Sequence, residues 1–324
     1  MDRRLILAIN AVISIVLVAA ILNIVGVGEV ASELSSVSMI YIILGMASLF
    51  VMDLLMAYRI KLMLEESGVR MGFLDILRSH FVGMLLADFT PSRTGYFATA
   101  AVLRYNYDVP ADKALLSIFG PQIFDFAFKV ISGSLAIFYI MFVFIGPGQG
   151  LILIAGAAVI SVLVVGMMLL LFSARFLGLF GFAGKLPVIG SLYSTMEKMQ
   201  ESSHVVVKKT PHIIALIFVS WFFRSLSWYL VAKSIGVAVD TPFPEILFYL
   251  FLQPLLTMLE FVPSPTIAGL GLSEGGATLV FSFFGVPAAK AATFALLTRF
   301  KTTLLHLPSV PEALKVLPKA LPGK

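Results

Sequence analysis

The sequence contains no cysteine and has few charged residues. Without cysteine there is no disulfide bond, thiolate nucleophile or cysteine-based metal site. His80, His204 and His212 are dispersed without the spacing of metal ligands, and we expect no metal and no cofactor. The sequence also shows no Ser-His-Asp pattern, and its glycine-rich stretch at 269–276 follows no strand, which excludes a dinucleotide-binding motif.

Charge is scarce because the chain is strongly apolar. Only 13% of its residues are charged and 59% are hydrophobic, whereas a soluble domain averages about 25% and about 45–50%. The apolar runs are long enough to span a bilayer, which takes roughly 20 residues. The sequence therefore predicts an all-α polytopic membrane protein, a single membrane domain over 1–324. The six predicted spans are 5–27, 39–58, 114–145, 151–172, 213–232 and 288–307.

Two segments interrupt the apolar runs and resemble each other. Both Leu85–Lys113 and Leu259–Lys290 contain an acid, Phe, one residue and Pro-Ser, and both end in Val-Pro-Ala-x-Lys. The apolar stretches beside these breaks are too short to span a bilayer, which favours re-entrant elements. We therefore predict two re-entrant helical hairpins, over about 73–106 and about 246–284.

Three full spans separate the two hairpins, so the second half is predicted to lie upside down relative to the first. The first repeat covers 1–148 and the second covers 149–324. Lys and Arg residues mark the cytoplasmic side of a membrane protein, and their positions place both termini in the cytoplasm of a cell-membrane protein. An amphipathic helix is expected over 191–209. No basic stripe with interleaved aromatics lies outside the membrane, so nucleic acid is not an expected partner.

The first break supplies candidate binding residues. Arg93 lies between Pro91 and Gly95, where a charge costs about 2.5–3.5 kcal/mol on insertion scales and usually faces a cavity or a partner. It could bind a lipid phosphate through two hydrogen bonds, with the backbone N–H groups that follow Gly95. The structural alternative is an ion pair of Arg93 with Asp88 or Glu274. Arg104 is nearer the surface. It is either a second basic residue of the binding site or a side chain that simply extends to the membrane interface.

The second break and the spans supply the other candidates. Glu274 could bind a cationic head group or carry a proton, and Ser273 could bind substrate or simply cap a helix. Asp88 and Glu260 occupy equivalent positions in the two repeats. They either belong to the substrate site or have a structural role. Asp125 and Lys129 are four residues apart on one helix face and can form an internal ion pair. From their positions in the spans, we expect Asp53 and Arg224 to face the helix bundle and His306 to lie at the membrane interface.

With these motifs, the chain resembles the lysylphosphatidylglycerol synthase transmembrane-region family of flippase-like integral membrane proteins. The matching pieces are TPSRTGYFATAAVLRY with DVPADKA, then VPSPTIAGLGLSEGGATLVFSFFGVPAAKA and LLTRF. Many members have an acid after the first Gly, where this chain has Tyr96-Phe97. Arg299 matches the Arg of the family. The resemblance implies translocation of lipid between leaflets, and a separate lipid-modifying synthase as a partner, because larger members carry such a domain.

The sequence thus favours a transporter of a phospholipid or a polyprenyl-phosphate-linked lipid, with substrate held near the midplane where two inverted repeats meet. Three alternatives remain: a membrane-embedded enzyme acting on lipid-linked substrates, an assembly subunit of a lipid-modifying complex, and a small-solute carrier. No nucleophile or acid–base set is visible, so we do not expect an enzyme. The lipid, the direction of transport and the oligomeric state do not follow from the sequence.

Overall fold

The computed structural model describes residues 3–140, 173–181, 190–261 and 269–320, with isolated positions at 143, 266 and between 158 and 172. These parts of the chain are helical and contain no β-strand. Two short 3₁₀ helices cover Pro91–Phe97 and Leu307–Ser309. The α-helices are α1 Arg3–Val25, α2 Val27–Ser35, α3 Met39–Glu66, α4 Phe73–Asp88, α5 Ala98–Tyr107, α6 Ala111–Ile140, α7 Ala174–Gly178, α8 Gly190–Glu201, α9 His204–Ser234, α10 Glu245–Phe261, α11 Leu272–Phe283, α12 Ala288–His306 and α13 Val310–Ala320.

Three of these helices, α3, α6 and α9, are long and apolar enough to cross a membrane. Helix α3 continues for two turns beyond the predicted span 39–58, and α9 extends beyond both ends of the predicted span 213–232. A fourth candidate is bent: the chain turns by 86° between Val12–Val25 and Val27–Ser35, at Gly26, which has a φ of 99°. The multi-pass membrane class is therefore confirmed. The segment after Gly26, predicted as a loop, is instead helix α2.

The predicted number of six spans is only partly covered by these helices. Helix α12 matches the predicted span 288–307 in position, but Lys290, Arg299 and Lys301 make it too polar to count as a span by composition. The predicted span 151–172 and the end of the span 114–145 lie outside the described residues. The count of six stays a prediction.

Helices α3 and α9 pack against each other in opposite directions. Ser227 Oγ donates to the carbonyl oxygen of Gly45 at 2.6 Å, and Ser48 Oγ donates to that of Phe223 at 2.7 Å. Moving forward along α3 therefore means moving backward along α9. A Cβ added at Gly45 would lie 3.3 Å from the carbonyl oxygen of Ser227, so small residues allow the two backbones to approach closely.

The two helices end in the same way. After α3, Gly68 has a φ of 78° and Val69 N–H donates to Leu64 O at 2.8 Å. After α9, Gly236 has a φ of 61° and Val237 N–H donates to the carbonyl oxygen of Ala232 at 3.0 Å. Both are glycine caps in the left-handed region, which satisfy carbonyls at the end of a helix.

The match continues at the other end of each broken segment. Asp108 and Gly285 both have positive φ, and the Val that follows each donates back to the preceding helix. Lys290 Nζ then donates to Gly236 O at 3.1 Å. Its counterpart Lys113 lies with Nζ 4.0 Å from the Cβ position of Gly68. The recurring sequence motif is thus accompanied by recurring local structure.

Candidate functional site

Two helical arms with glycines between them form the first broken segment. Helix α4 and the 3₁₀ helix that follows are packed so closely that a Cβ on Gly95 would lie 2.3 Å from Leu86 C. A Cβ on Gly83 would lie 1.9 Å from Thr99 Oγ1. Gly95 N–H donates to Thr90 Oγ1 at 2.7 Å, so in this conformation that N–H is used by the hairpin itself. Gly95 is therefore a packing residue of the hairpin.

Arg93 lies at the turn between these arms with a φ of 53°. The left-handed region costs a non-glycine residue about 1–2 kcal/mol, and such strain is found most often at functional sites. The Arg93 side chain is buried, and its Nη2 donates to Asp88 Oδ1 at 3.2 Å. The structure thus pairs Arg93 with Asp88, one of the two acids expected as its structural partner.

A cavity of about 780 Å³ lies beside Arg93. Aromatic and Met side chains dominate its wall, with residues contributed by α3, α4, α6, α8, α9 and α10. Ligand cavities of roughly 300–1,000 Å³ with an apolar lining and a few convergent polar groups are typical binding sites. The polar and charged residues in its described wall are Arg59, Arg93, Tyr96, Gln122, Asp125, Lys129, Tyr193, Ser220, Trp221, Arg224 and Gln253.

The charge of this wall is unbalanced. Four basic side chains line the cavity, and Asp125 is the one acid among its described lining residues. Asp125 Oδ2 accepts a hydrogen bond from Lys129 Nζ at 2.6 Å and another from Gln122 Nε2 at 3.1 Å. The pair of Asp125 and Lys129 is therefore present as an internal ion pair. The arginines Arg59, Arg93 and Arg224 also line the cavity, and Arg93 contacts Asp88.

One buried hydroxyl and two buried N–H donors of the wall have no hydrogen-bond partner within the described part of the chain. The hydroxyl is that of Tyr96, and the two N–H donors are Nε of Arg59, whose residue is 3% exposed, and Nε1 of Trp221. Leaving a buried donor unsatisfied costs about 1–3 kcal/mol, more for a charged group. All three groups belong to residues that line the cavity. An occupant with acceptor oxygens would satisfy them.

A smaller polar chamber of about 50 Å³ adjoins the same arginines. Arg93 and Arg224 line both spaces, and the small one also touches Asp88, Glu274 and Arg299. Arg299 Nε donates to Glu274 Oε1 at 2.7 Å, and Arg299 Nη2 donates to Ser273 Oγ at 2.7 Å. The second broken segment therefore contributes Glu274, paired with Arg299 of α12, to this side of the site.

Glu274 is also a helix cap. Its Oε2 accepts from Gly271 N–H at 2.6 Å and from Ser273 Oγ at 3.0 Å. Gly271 has a φ of 91° and its Cβ position lies 2.5 Å from Leu17 Cβ, so only glycine fits there. Glu274 and Ser273 thus order the start of α11, and at the same time Glu274 holds Arg299.

A buried chain of acids and histidines lies behind the small chamber. His306 Nδ1 is 2.7 Å from Asp88 Oδ2, and His306 Nε2 is 3.4 Å from Asp53 Oδ2. His80 Nε2 is 3.1 Å from the other oxygen of Asp53. Asp53, His80 and His306 are all 0% exposed. The interfacial position predicted for His306 is wrong, because its ring is enclosed between two carboxylates.

The remaining predicted site residues lie apart from this centre. Arg104 is exposed on α5, with its guanidinium 5.6 Å from the ring centre of Tyr105. It lines a surface cavity of about 530 Å³ with Lys198 and Asp112. Glu260 lies at the end of α10, but its side chain is outside the described residues, as are Pro263 and Ser264. Among described residues no group of three or more His, Asp or Glu has the arrangement of a metal site.

The family described as Lysylphosphatidylglycerol synthase TM region matches residues 7–308. The chain belongs to this family. The match covers nearly the whole sequence, including both broken segments and the cavity between them, and it agrees with the resemblance carried by the motifs around Arg93 and Glu274. It makes the protein a member of a membrane family acting on lipids. Comparison with individual curated proteins gives no match.

Sequence reasoning missed part of the site of this family member. Arg59 follows the predicted span 39–58, where the distribution of Lys and Arg indicates the cytoplasmic side. The structure continues α3 to Glu66 and buries Arg59 in the cavity wall. Its signal was present, since Leu54, Leu55, Ile60 and Leu62 keep the helix apolar around it. The assembly of Asp53 with His80 and His306 had no sequence signal, because its members are distant in the chain.

Proposed function

We propose that the protein translocates a lipid with a phosphate-bearing head group between the two leaflets of the cell membrane. The observation that supports this most is the cavity of about 780 Å³, whose wall is largely apolar but carries Arg59, Arg93, Lys129 and Arg224 against the single acid Asp125 among its described residues. An amphiphile with an anionic head matches both parts of this wall. A small polar solute would leave the apolar wall without contacts, and an uncharged lipid would bring no acceptor of matching charge to the basic side chains of the wall.

The head group would lie near Arg59, Arg93 and Arg224. Guanidinium groups bind phosphate oxygens through paired hydrogen bonds with fixed geometry. The unsatisfied Nε of Arg59 and Nε1 of Trp221 would then find acceptors. Met and Phe side chains of the same wall would contact the hydrocarbon.

The architecture that fits this function is an inverted repeat with two re-entrant hairpins, 73–106 and 246–284, six spans, and both termini in the cytoplasm. The antiparallel packing of α3 against α9 supports this, because helices related by a two-fold axis in the membrane plane run in opposite directions. The shared caps at Gly68 and Gly236 support the equivalence of the two halves. Irregular backbone at membrane depth occurs where it faces a cavity or is buried in protein, as the turn at Arg93 does.

Transport would proceed by rocking of one half against the other around the lipid. In the present conformation the large cavity lies beside the first hairpin, while the Glu274–Arg299 pair narrows the small chamber beside the second. Asp88 balances Arg93 when no phosphate is bound. The lipid is moved unchanged, so recovered lipid should have its original mass.

The test is transfer of a fluorescent anionic phospholipid in liposomes that contain the purified protein. A membrane-impermeant quencher added outside reports how much label reaches the outer leaflet with time. We expect wild-type protein to transfer the label and Arg93→Ala to abolish transfer while remaining folded. Arg78→Ala is the matched control, because Arg78 is 68% exposed at its side chain and contacts only Asp75 among the described acids within salt-bridge distance. Equal transfer by wild type and Arg93→Ala would contradict the assignment.

A further inference from the structure

Five buried side chains form one continuous row at the edge of the small chamber. Arg93 donates to Asp88 Oδ1, and the other Asp88 oxygen meets His306 Nδ1 at 2.7 Å. His306 Nε2 faces Asp53 Oδ2, and the second oxygen of Asp53 meets His80 Nε2 at 3.1 Å. The row begins at the cavity wall and ends at His80 in the protein interior. The lipid site described above uses only its first two members.

The geometry around His306 determines how many protons the ring carries. A carboxylate oxygen is an acceptor and cannot donate, whereas each ring nitrogen of histidine either donates or accepts. Both nitrogens of His306 face carboxyl oxygens, and with both Asp residues ionised the arrangement is satisfied by a ring that carries a hydrogen on each nitrogen. His306 is then an imidazolium ion, and the row holds one more proton than it would with a neutral ring.

Charge balance agrees with this. The row contains two buried carboxylates, Asp53 and Asp88, and buried charges are retained only when they are paired. Arg93 supplies one positive charge and His306 supplies the other. The second ring of the row, His80, contacts Asp53 through Nε2. Its Nδ1 has no hydrogen-bond partner within the described part of the chain.

The charged groups that line the small chamber or lie beside His306 come from several elements. Helices α3 and α4 contribute the acids and His80. The 3₁₀ turn contributes Arg93, α9 contributes Arg224, and α11 contributes Glu274, which is already paired with Arg299. Helix α12 itself carries Lys301, which is 1% exposed and donates to Ser227 Oγ. The two carboxylates in direct contact with His306 therefore set its state.

The proton on His306 also links helices that belong to different halves of the protein. His306 is on α12 of the second half, whereas Asp53 and Asp88 are on α3 and α4 of the first half. Without one ring hydrogen, a nitrogen lone pair would face a carboxylate oxygen at 2.7 or 3.4 Å. That contact would change from attractive to repulsive, and the link between α12 and the first hairpin would weaken.

We propose that His306, held between Asp53 and Asp88, is a proton-binding site, and that uptake and release of this proton couples lipid translocation to the proton gradient. The coupling rests on the proposed function, whereas the proton site does not. On release, the proton passes from His306 Nδ1 to Asp88 Oδ2 and from there to water at the small chamber, which Asp88 lines. No other atom gains or loses charge. The protonated state locks α12 to the first hairpin, and the deprotonated state allows the halves to move.

The proton site is tested directly by ring-nitrogen NMR of histidine-labelled protein in lipid nanodiscs. We expect two protonated nitrogens for His306 at neutral pH, assigned by the loss of the signal in His306→Gln. Asp53→Asn should move loss of the ring proton to lower pH by about one unit or more, because the imidazolium loses one of its two carboxylate contacts. A shift of one pH unit corresponds to about 1.4 kcal/mol of lost interaction. His204, which is exposed on α9, is the internal reference and should titrate unchanged. A neutral His306 ring in the wild type would overturn the proposal, with no variant needed.

The coupling is tested in the same liposomes with an imposed pH difference. Wild-type transfer of the fluorescent lipid should depend on the direction of the gradient, and His306→Gln should lose that dependence while His204→Gln keeps it. Asp53→Asn serves as the second variant if His306→Gln does not fold. Transfer that ignores the gradient in the wild type would overturn the coupling. No transfer under any gradient would instead overturn the proposed function and the coupling with it, and the ring spectra would still decide the proton site.

Discussion

Arg299 Nε donates to Glu274 Oε1 at 2.7 Å and thereby joins α12 to the first turn of α11. The Glu274 side chain is 4% exposed and that of Arg299 is 20% exposed. Removing one member of such a pair strands the other, which costs about 3–5 kcal/mol in buried examples. The link is therefore structural whether or not it also contacts a ligand.

We expect Glu274→Gln to lower the free energy of unfolding by about 3 kcal/mol, because Arg299 loses its counter-charge while a helix-cap acceptor remains. Thermal denaturation in detergent, followed by circular dichroism, measures the loss. Glu65→Gln is the control, since Glu65 forms an exposed pair with Lys61 and exposed pairs contribute about 0–1 kcal/mol. A denaturation temperature for Glu274→Gln equal to that of the control would contradict this.

Gly95→Ala should destabilise the first hairpin, because the new Cβ would meet backbone atoms that cannot rotate away. The nearest are Leu86 C at 2.3 Å and Ala87 N at 2.6 Å. We expect a cost of about 1–3 kcal/mol, as for overpacking elsewhere, visible in the same denaturation experiment. Gly28→Ala is the matched control, because nothing lies within 4 Å of its Cβ position. Equal stability of the two variants would show that the arms are not held together at Gly95.

Arg59→Met should separate folding from binding. It removes a buried Nε without a hydrogen-bond partner among the described residues, so the empty protein should be as stable as the wild type or more stable, by about 1–3 kcal/mol. Affinity for anionic phospholipid, measured by quenching of tryptophan fluorescence with spin-labelled lipid, should fall by about tenfold or more, as expected for the loss of at least about 1.4 kcal/mol. A less stable protein with unchanged affinity would identify Arg59 as a structural residue.

Asp125→Asn should act in the opposite direction on binding. Asp125 is the acid in the described wall of the large cavity, and its charge repels an anionic head group. We expect several-fold tighter binding of anionic phospholipid, because the substitution removes the repulsion between the carboxylate and the head group. Zwitterionic phospholipid in the same assay is the control and should change less. Weaker binding of the anionic lipid would show that Lys129 needs Asp125 in order to stay in the wall.

Hydropathy predicted the long helices and the places where they break. Continuous apolar runs produce α3, α6 and α9 because lipid and protein interior both favour them, and Pro91 with Gly95 ends the first short arm. Patterning could not predict that Arg59 lies inside the cavity, because a charge next to an apolar run looks the same at a membrane surface as in a buried wall. Which of the two environments Arg59 occupies depends on the face of α3 that carries it, and only the packing of the other helices determines what that face contacts.

The row around His306 could not be predicted for a different reason. His306 contacts Asp88 and Asp53 across more than half the chain, and such contacts depend on how α12 lies against α3 and α4. A single histidine at the end of a span resembles an interfacial residue in sequence. The ion pair of Asp125 and Lys129, in contrast, follows from spacing on one helix.

The caps at Gly68 and Gly236 also set a common register for α3 and α9. In that register Arg59 lies as far before Gly68 as Ser227 lies before Gly236, and Arg224 corresponds to Met56. The basic residues thus have no basic counterpart in the other half. If the halves exchange shapes as proposed, the head group would leave a chamber with guanidinium groups and meet Ser227 and Met56 instead. The same backbone would then bind the head group with different strength on the two sides of the membrane.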